Sequence, residues 1–250
     1  MSQHGAIPLP PRRHVADDAT LAALRDRPIE VLGRMPWSSN GTYLVALDEG
    51  GEASERKAIY KPLRGERPLW DFPSGLYKRE VAAYELSATL GWGVVPPTVL
   101  RDGPMGEGSV QLFVDADFEQ HYFTVSDDER FTADLQAICV FDIVANNTDR
   151  KSGHCLIGRD ERVYAIDNGL SFHAEFKLRT VLWDYAGQDI PDGLLSDLER
   201  LTGSGLPASV ADLLDDDEER DACLQRAHLL LRSRRFPADP SGRRYPWPLV

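Results

Sequence analysis

Short runs of aliphatic, aromatic and β-branched residues, broken by polar turns, dominate the first part of the chain. Ile29 to Met35, Thr42 to Leu47 and Ala58 to Lys61 each read as a β-strand. The turn Pro36-Trp37-Ser38-Ser39-Asn40-Gly41 separates the first two. A charged loop, Asp48 to Lys57, separates the second from the third, which Pro62 stops. Together they predict an antiparallel meander. The period then changes to that of a helix over Leu76 to Leu90, where Tyr77, Val81, Tyr84 and Ala88 share a face and Gly91 ends the run. Glu80 falls roughly 60° from the centre of that stripe, at its edge. Val94 to Leu100, with Pro96-Pro97 inside, predicts an extended edge segment. A glycine-rich turn, Gly103 to Gly108, leads into a strand over Ser109 to Val114.

Asp115 to Asp128 reads as a linker with room for a short helix. Thr132 to Ala145 is apolar nearly all round and predicts a core helix, with Thr132 as its N-cap. A polar loop, Asn146 to His154, follows it. Two short strands come next, Cys155 to Ile157 and Val163 to Ile166, joined by the charged turn Arg159 to Arg162. Helices are expected near Gly193–Leu201, Ser209–Leu214 and Asp216–Arg234, before an irregular, proline-rich ending. This pattern divides the chain into a flexible leader (1–25), a strand-rich part (26–115) and a mainly helical part (116–250). The fold class is α+β.

At 250 residues and 42% hydrophobic content, the chain can bury a core without disulfide or metal staples. Its net charge is -12, of which residues 116–250 carry -10. Such a balance argues against tracking nucleic acid or an anionic membrane surface. An anionic substrate must then be handled by local chemistry, often with a metal cation. Cys139, Cys155 and Cys223 are odd in number and widely spaced, which disfavours a disulfide framework or a zinc knuckle. No signal-peptide core and no membrane-length apolar run is present, so a cytoplasmic protein is expected.

Four polar features could carry chemistry. Ser38, Ser39 and Asn40 form a turn of small residues whose backbone N–H groups could cradle phosphate oxygens. Lys61 on a strand, with Glu80 (or Glu85) on the next helix, suits a phosphate-binding lysine held by a carboxylate. Asn147, Asp149, Arg150, Lys151 and His154 crowd a loop that follows a buried helix. Asp167 ends an apolar strand before Asn168-Gly169, where a carboxylate can hold a Mg²⁺ that bridges phosphates. Plain turns, surface lysines and Asx turns would explain each feature alone. The ordered set is what points to phosphoryl transfer.

Ala58-Ile59-Tyr60-Lys61-Pro62, Lys78 to Leu86, Asn147-Thr148-Asp149-Arg150-Lys151-Ser152-Gly153-His154 and Ile166-Asp167-Asn168-Gly169 resemble the phosphatidylinositol 3-/4-kinase-like superfamily of atypical kinases. That group includes HipA-type bacterial kinases, and the likeness is stronger still to an actinobacterial branch. It covers about residues 30–190. The resemblance implies a bilobal protein-kinase-like fold, with a small antiparallel-sheet N-lobe, a mainly helical C-lobe and ATP between them. It makes Asp149 the catalytic aspartate, accepting the hydroxyl proton or orienting the nucleophile, Lys61 the α-phosphate contact and Glu80 its orienting partner. It makes Asp167 a ligand for Mg²⁺ or Mn²⁺. Arg150 joins the nucleotide-binding set, and Gln111, Phe113 and Val114 form the hinge that meets adenine.

The chain departs from the family pattern at two places. His154 stands where the second metal ligand is commonly Asn, and imidazole suits transition metals better than Mg²⁺. Asn168 stands where Phe is usual. Walker A, His-Arg-Asp and Asp-Phe-Gly signatures are absent. Gly169-Leu170-Ser171-Phe172-His173 is a near miss to a hydrolase elbow that lacks the final Gly. The resulting expectation is transfer of the γ-phosphoryl of ATP to a hydroxyl of an unknown acceptor, a protein Ser/Thr or a small polar alcohol. The alternatives are a nucleotide-binding regulatory module without turnover and an AMP transferase on the same fold.

Overall fold

The computed structural model describes residues 18–36, 38–48 and 56–250. The expected leader therefore divides. Residues 1–17, like Trp37, lie outside the described residues, but Asp18–Asp26 forms helix α1, with Ala23 and Leu24 buried. The flexible-leader reading is corrected for residues 18–25, because Leu24 is drawn into the hydrophobic cluster under the sheet. Arg101 adds to the docking by donating to the Leu24 and Arg27 carbonyls at 3.1 and 2.8 Å.

Strands β1 (Ile29–Arg34), β2 (Tyr43–Leu47) and β3 (Arg56–Pro62) form the expected antiparallel meander. Helix α2 (Leu76–Leu90) follows, then β4 (Thr98–Gly103) and β5 (Gly106–Leu112). β5 inserts beside β3, giving a five-stranded antiparallel sheet in the order β1-β2-β3-β5-β4. Alternation along β3 sends Ala58 and Tyr60 into the sheet's own core and leaves Ile59 and Lys61 on the other face.

Helix α2 belongs mostly to the other half of the molecule. Ala82, Ala83, Tyr84, Leu86 and Leu90 join the larger hydrophobic core. Its start is capped from a distance. The Glu66 carboxylate accepts from the Gly75 and Tyr77 N–H groups, both at 2.8 Å, and so satisfies donors that the first turn leaves over. Its end is Gly91 at φ 74°, a left-handed cap that a side chain would strain. Arg79 fixes it further. This fully buried arginine donates to the Ser171 carbonyl at 2.7 Å and to Glu219 at 2.6 Å.

The remaining elements are α3 (Tyr122–Val125), α4 (Thr132–Ala145), the hairpin β6 (Cys155–Ile157) and β7 (Val163–Ala165), and helices α5 (Asp192–Ser204), α6 (Ala208–Ala211) and α7 (Asp217–Ser233). Thr132 is not an N-cap, because a 3₁₀ turn over Glu129–Phe131 runs straight into α4. Glu219, in the acidic first turn of α7, receives Arg79, while Asp216 caps α7 by accepting from the Glu219 N–H at 2.8 Å. All three cysteines are free and buried. Among the described residues no helix is long and apolar enough to cross a membrane. The molecule is a bilobal α+β fold with two hydrophobic cores.

Candidate active site

A cavity of about 340 Å³ opens between the five-stranded sheet and the β6–β7 region. Ser38, Ser39, Asn40, Lys61, Glu80, Gln111, Phe113, Val114, Asp149, Lys151, His154 and Asp167 all line it. A larger hollow, about 690 Å³, lies behind Phe113 and Val114 and holds none of the Lys61–Glu80–Asp149–Asp167 group. The chemistry therefore concentrates in the smaller cavity.

Lys61 reaches into it from β3 and is shared by two carboxylates. It pairs with Glu80 and, at 2.8 Å, with Asp167. Burial works against its charge, but Asp167 and Glu80 outweigh that and hold the ammonium above its ordinary pKa. Lys61 in turn depresses the Asp167 carboxyl strongly, against the effect of burial. The second oxygen of Glu80 accepts the Asn168 N–H at 3.0 Å. One carboxylate thus ties β3, α2 and the Asp167–Asn168 segment together. Glu85 takes no part in this cluster. Asp167 itself sits at φ 58°, a left-handed conformation that Asp tolerates better than most residues. It leaves half of its side chain open to the cleft.

Across the cleft, Asp149 follows an Asx turn in which its own N–H donates to Asn147 Oδ1 at 2.9 Å. Its carboxylate pairs with Lys151 at 3.1 Å. Burial raises the Asp149 pKa and the nearby Asp167 charge adds to that, while Lys151 pulls the other way. His154 faces both acids. Its Nδ1 lies 3.0 Å from the Asp149 carbonyl, its shortest polar contact, and a carbonyl can only accept. The Nδ1 proton is therefore assigned there, which leaves the Nε2 lone pair 3.5 Å from Asp167 Oδ2. Burial pushes the His154 pKa down to about 4, so the ring is neutral near pH 7.

Two expected nucleotide contacts need correction. Arg150 is fully buried beneath the site and does not face the cavity. Its guanidinium is committed to the equally buried Asp142 at 2.9 Å, to the Ile166 carbonyl and to Asn168 Oδ1, both at 2.5 Å. Gln111 lines the cavity wall, but it lies in the central strand β5, paired with Ile59 on one side and Thr98 on the other. Its side-chain amide donates to Thr98 Oγ1 at 2.9 Å. Its backbone is therefore committed to the sheet. Phe113 is also partly committed, since its N–H donates to the Lys57 carbonyl at 3.1 Å.

The small-residue turn lines the cavity. It is fixed by a close approach of two glycines, with the Gly41 N–H donating to the Gly65 carbonyl at 2.7 Å. A Cβ on Gly41 would lie 2.8 Å from the Gly65 Cα. Lys151 also lines the cleft, and the sequence reading left its role open. Its position two residues beyond Asp149 in a turn was the available signal.

A small antiparallel sheet, a helix glutamate paired to a strand lysine, and two aspartates lining the same cavity make up the candidate site. The profile described as phosphatidylinositol 3- and 4-kinase matches residues 98–212. Protein Rv2133c of Mycobacterium tuberculosis is 38% identical over 264 residues, an alignment covering 91% of this chain and 94% of that protein. Phosphatidylinositol 4-kinase gamma 4 of Oryza sativa subsp. japonica is 30% identical over 189 residues, 59% of this chain but only 32% of the plant protein. The solved structure of hydra Fam20 with sugar superposes with a TM-score of 0.56 at 16% identity, covering 86% of this chain and 87% of that one. The chain belongs to the phosphatidylinositol 3-/4-kinase-like family of atypical kinases.

Proposed function

We propose that this chain is an ATP-dependent phosphotransferase that moves the γ-phosphoryl group to a hydroxyl acceptor. The observation that carries the reading is the lysine shared between Glu80 and Asp167, with Asp149 facing it across one cavity. Lys61 would hold nucleotide phosphate oxygens, and Glu80 would fix its direction. The backbone of Ser38–Asn40 would close over the phosphates. Adenine contact falls to Phe113 and Val114. With the Phe113 N–H already donated, the N–H offered to the base would be that of Val114.

Asp149 would accept the acceptor's hydroxyl proton as the new O–P bond forms and the bond to the β-phosphate oxygen breaks, releasing ADP. Lys151, beside it, would neutralise charge on the phosphoryl oxygens. A divalent cation fits Asp167 and His154, because Asp167 Oδ2 and His154 Nε2 lie 3.5 Å apart and the tautomer assigned above, with the Nδ1 proton donated to the Asp149 carbonyl, leaves both as acceptors. The His154 ring is oriented by the Asp149 carbonyl behind it, the usual support for a ligating imidazole. Such a cation would supply charge neutralisation at the phosphates. The described residues contain no cluster of three or more protein ligands, so phosphate oxygens or water would complete its shell.

The test is turnover of γ- and α-labelled ATP in parallel, with Mg²⁺ or Mn²⁺. Transfer of γ label supports the proposal. Transfer of α label moves the reading to AMP transfer, and tight nucleotide binding with no transfer at all moves it to a regulatory module. His154→Asn is expected to shift the preferred ion from Mn²⁺ toward Mg²⁺, because an amide oxygen is the harder ligand. An unchanged Mn²⁺/Mg²⁺ rate ratio would remove His154 from the metal site.

Gly41→Ala tests the phosphate roof. The new methyl meets backbone, which no rotamer change can relieve, so the turn must lift. Overpacking of this kind costs about 1–3 kcal/mol. Expressed at the site, that is roughly a tenfold loss of ATP affinity by calorimetry.

A further inference from the structure

We propose that the acceptor hydroxyl belongs to a serine or threonine in an acidic stretch of polypeptide, and that Arg179 reads its carboxylates. The inference rests on the phosphotransferase reading above and names the substrate class of that site.

The backbone of Arg179 is clamped to both flanks of Asp149. Its N–H donates to the Asn147 carbonyl and its carbonyl accepts the Arg150 N–H, each at 3.0 Å. The Val181 N–H then donates to the Arg150 carbonyl at 3.1 Å, completing a parallel bridge between Arg150 and Thr180. Both members of that bridge are buried, at 0% and 1% exposure, so their side chains lie on its inner side. Alternation along an extended segment turns Arg179 the opposite way, and it is exposed. Its Cα is fixed next to the proposed base while its guanidinium reaches solvent.

A second run of cations lies alongside. The Thr180 N–H donates to the Arg244 carbonyl at 3.1 Å, which brings Arg243 and Arg244 next to the same segment. Arg244 lies over the Phe176 ring, 4.7 Å from its centre, and 3.9 Å from Asp239. Among the described residues, Arg179 and Arg243 have no carboxylate partner. Other arginines of the acidic C-terminal half do find one: Arg234 pairs with Asp192 and Arg235 with Asp189. Lys177, two residues before Arg179, is also taken, by Asp71 at 3.3 Å. A positive patch therefore persists where carboxylates are in excess, directly beside the catalytic loop.

The patch lies outside the nucleotide cavity, whose lining does not include Arg179. A small alcohol seated at Asp149 would lie within that cavity, whereas an extended chain also crosses the open face outside it. Exposed Phe176, beneath Arg244, and Tyr245, next to Arg244 in the chain, border that face and offer apolar contact to peptide side chains. Together these features favour an acidic polypeptide.

The test uses the full chain and three fluorescent peptides that differ only in the residues flanking one serine: Glu, Gln or Lys. Binding is read by anisotropy, and γ-label transfer is followed in parallel with ATP hydrolysis. The Glu peptide should bind and be labelled about tenfold better than the Gln peptide, with the gap closing as salt is raised. Arg179→Glu should reverse the order of the Glu and Lys peptides, and Arg179→Lys should keep most of the preference. Thermal unfolding of both variants checks that the clamped backbone is intact. Wild-type protein that hydrolyses ATP yet treats the three peptides alike overturns the inference and leaves the phosphotransferase reading standing. Transfer to glycerol 3-phosphate and to none of the peptides also overturns it. Arg179-dependent binding of the Glu peptide without any ATP turnover sustains the acceptor surface and defeats the kinase reading instead.

Discussion

Asp149→Asn is expected to lower γ-phosphoryl transfer by about a thousandfold while ATP still binds, within the 10²–10⁴ range typical of a positioned general base. The substitution preserves shape and removes the proton-accepting oxygen. The Asp149 backbone should be unmoved, because its N–H is held by Asn147 and its carbonyl by His154. The variant also deprives Lys151 of its partner, so Lys151→Met belongs beside it. If the loss came from Lys151 alone, the two variants would fall equally and their combination no further. If Asp149 is the base, Lys151→Met loses less than Asp149→Asn. Rates are read by label transfer and ATP affinity by calorimetry. An Asp149→Asn enzyme retaining more than a tenth of the wild-type rate would remove this residue from the chemistry.

Much of this site was legible in the sequence because it lies in segments whose local pattern is strong. The helices over 76–90 and 132–145 have the expected bounds, ended by left-handed caps at Gly91 in one case and Asn146 in the other. The choice of Glu80 over Glu85 was not legible from the helical wheel, because both lie at the edge of the buried stripe on opposite sides, and only the position of β3 selects Glu80. What was not legible depends on distant partners. Val94 and Val95 read as strand, but their hydrophobicity is satisfied by burial, and their N–H groups donate to Ser87 Oγ at 3.0 and 3.3 Å. Pairing begins only at Thr98, beyond the two prolines. Glu66 looked like one more loop charge, and nothing local shows that it caps a helix ten residues on.

Arg150 is the most instructive miss. A charged residue in a polar loop reads as exposed, and its burial depends on Asp142, eight positions earlier. The available signal was Asp142 itself. A carboxylate in a helix that is apolar all round must be paired, and the next cation along the chain is Arg150.

That buried pair yields the largest expected effect on stability. Burial pushes the Asp142 carboxyl up, against the pull of Arg150. Arg150→Met would leave that carboxylate uncompensated in the core, together with the Ile166 carbonyl and Asn168 Oδ1. Removing one member of a buried ion pair costs about 3–5 kcal/mol. For a chain of this length, that lowers the Tm by on the order of 10 °C. The double variant Asp142→Leu, Arg150→Met removes the orphaned charge as well and should recover much of the stability, since well-packed apolar residues often replace such a pair without loss. Activity should not recover with it. Ile166 and Asn168 flank Asp167, and without the guanidinium the Ile166 carbonyl loses this donor and Asn168 Oδ1 keeps only the longer contact from Asn147 Nδ2 at 3.4 Å, so the carboxylate between them loses most of its support. Scanning calorimetry and γ-label transfer on both variants separate the two effects. A single variant that melts within about 2 °C of wild type, or a double variant whose activity returns along with its stability, would show that Arg150 does not organise the site from beneath.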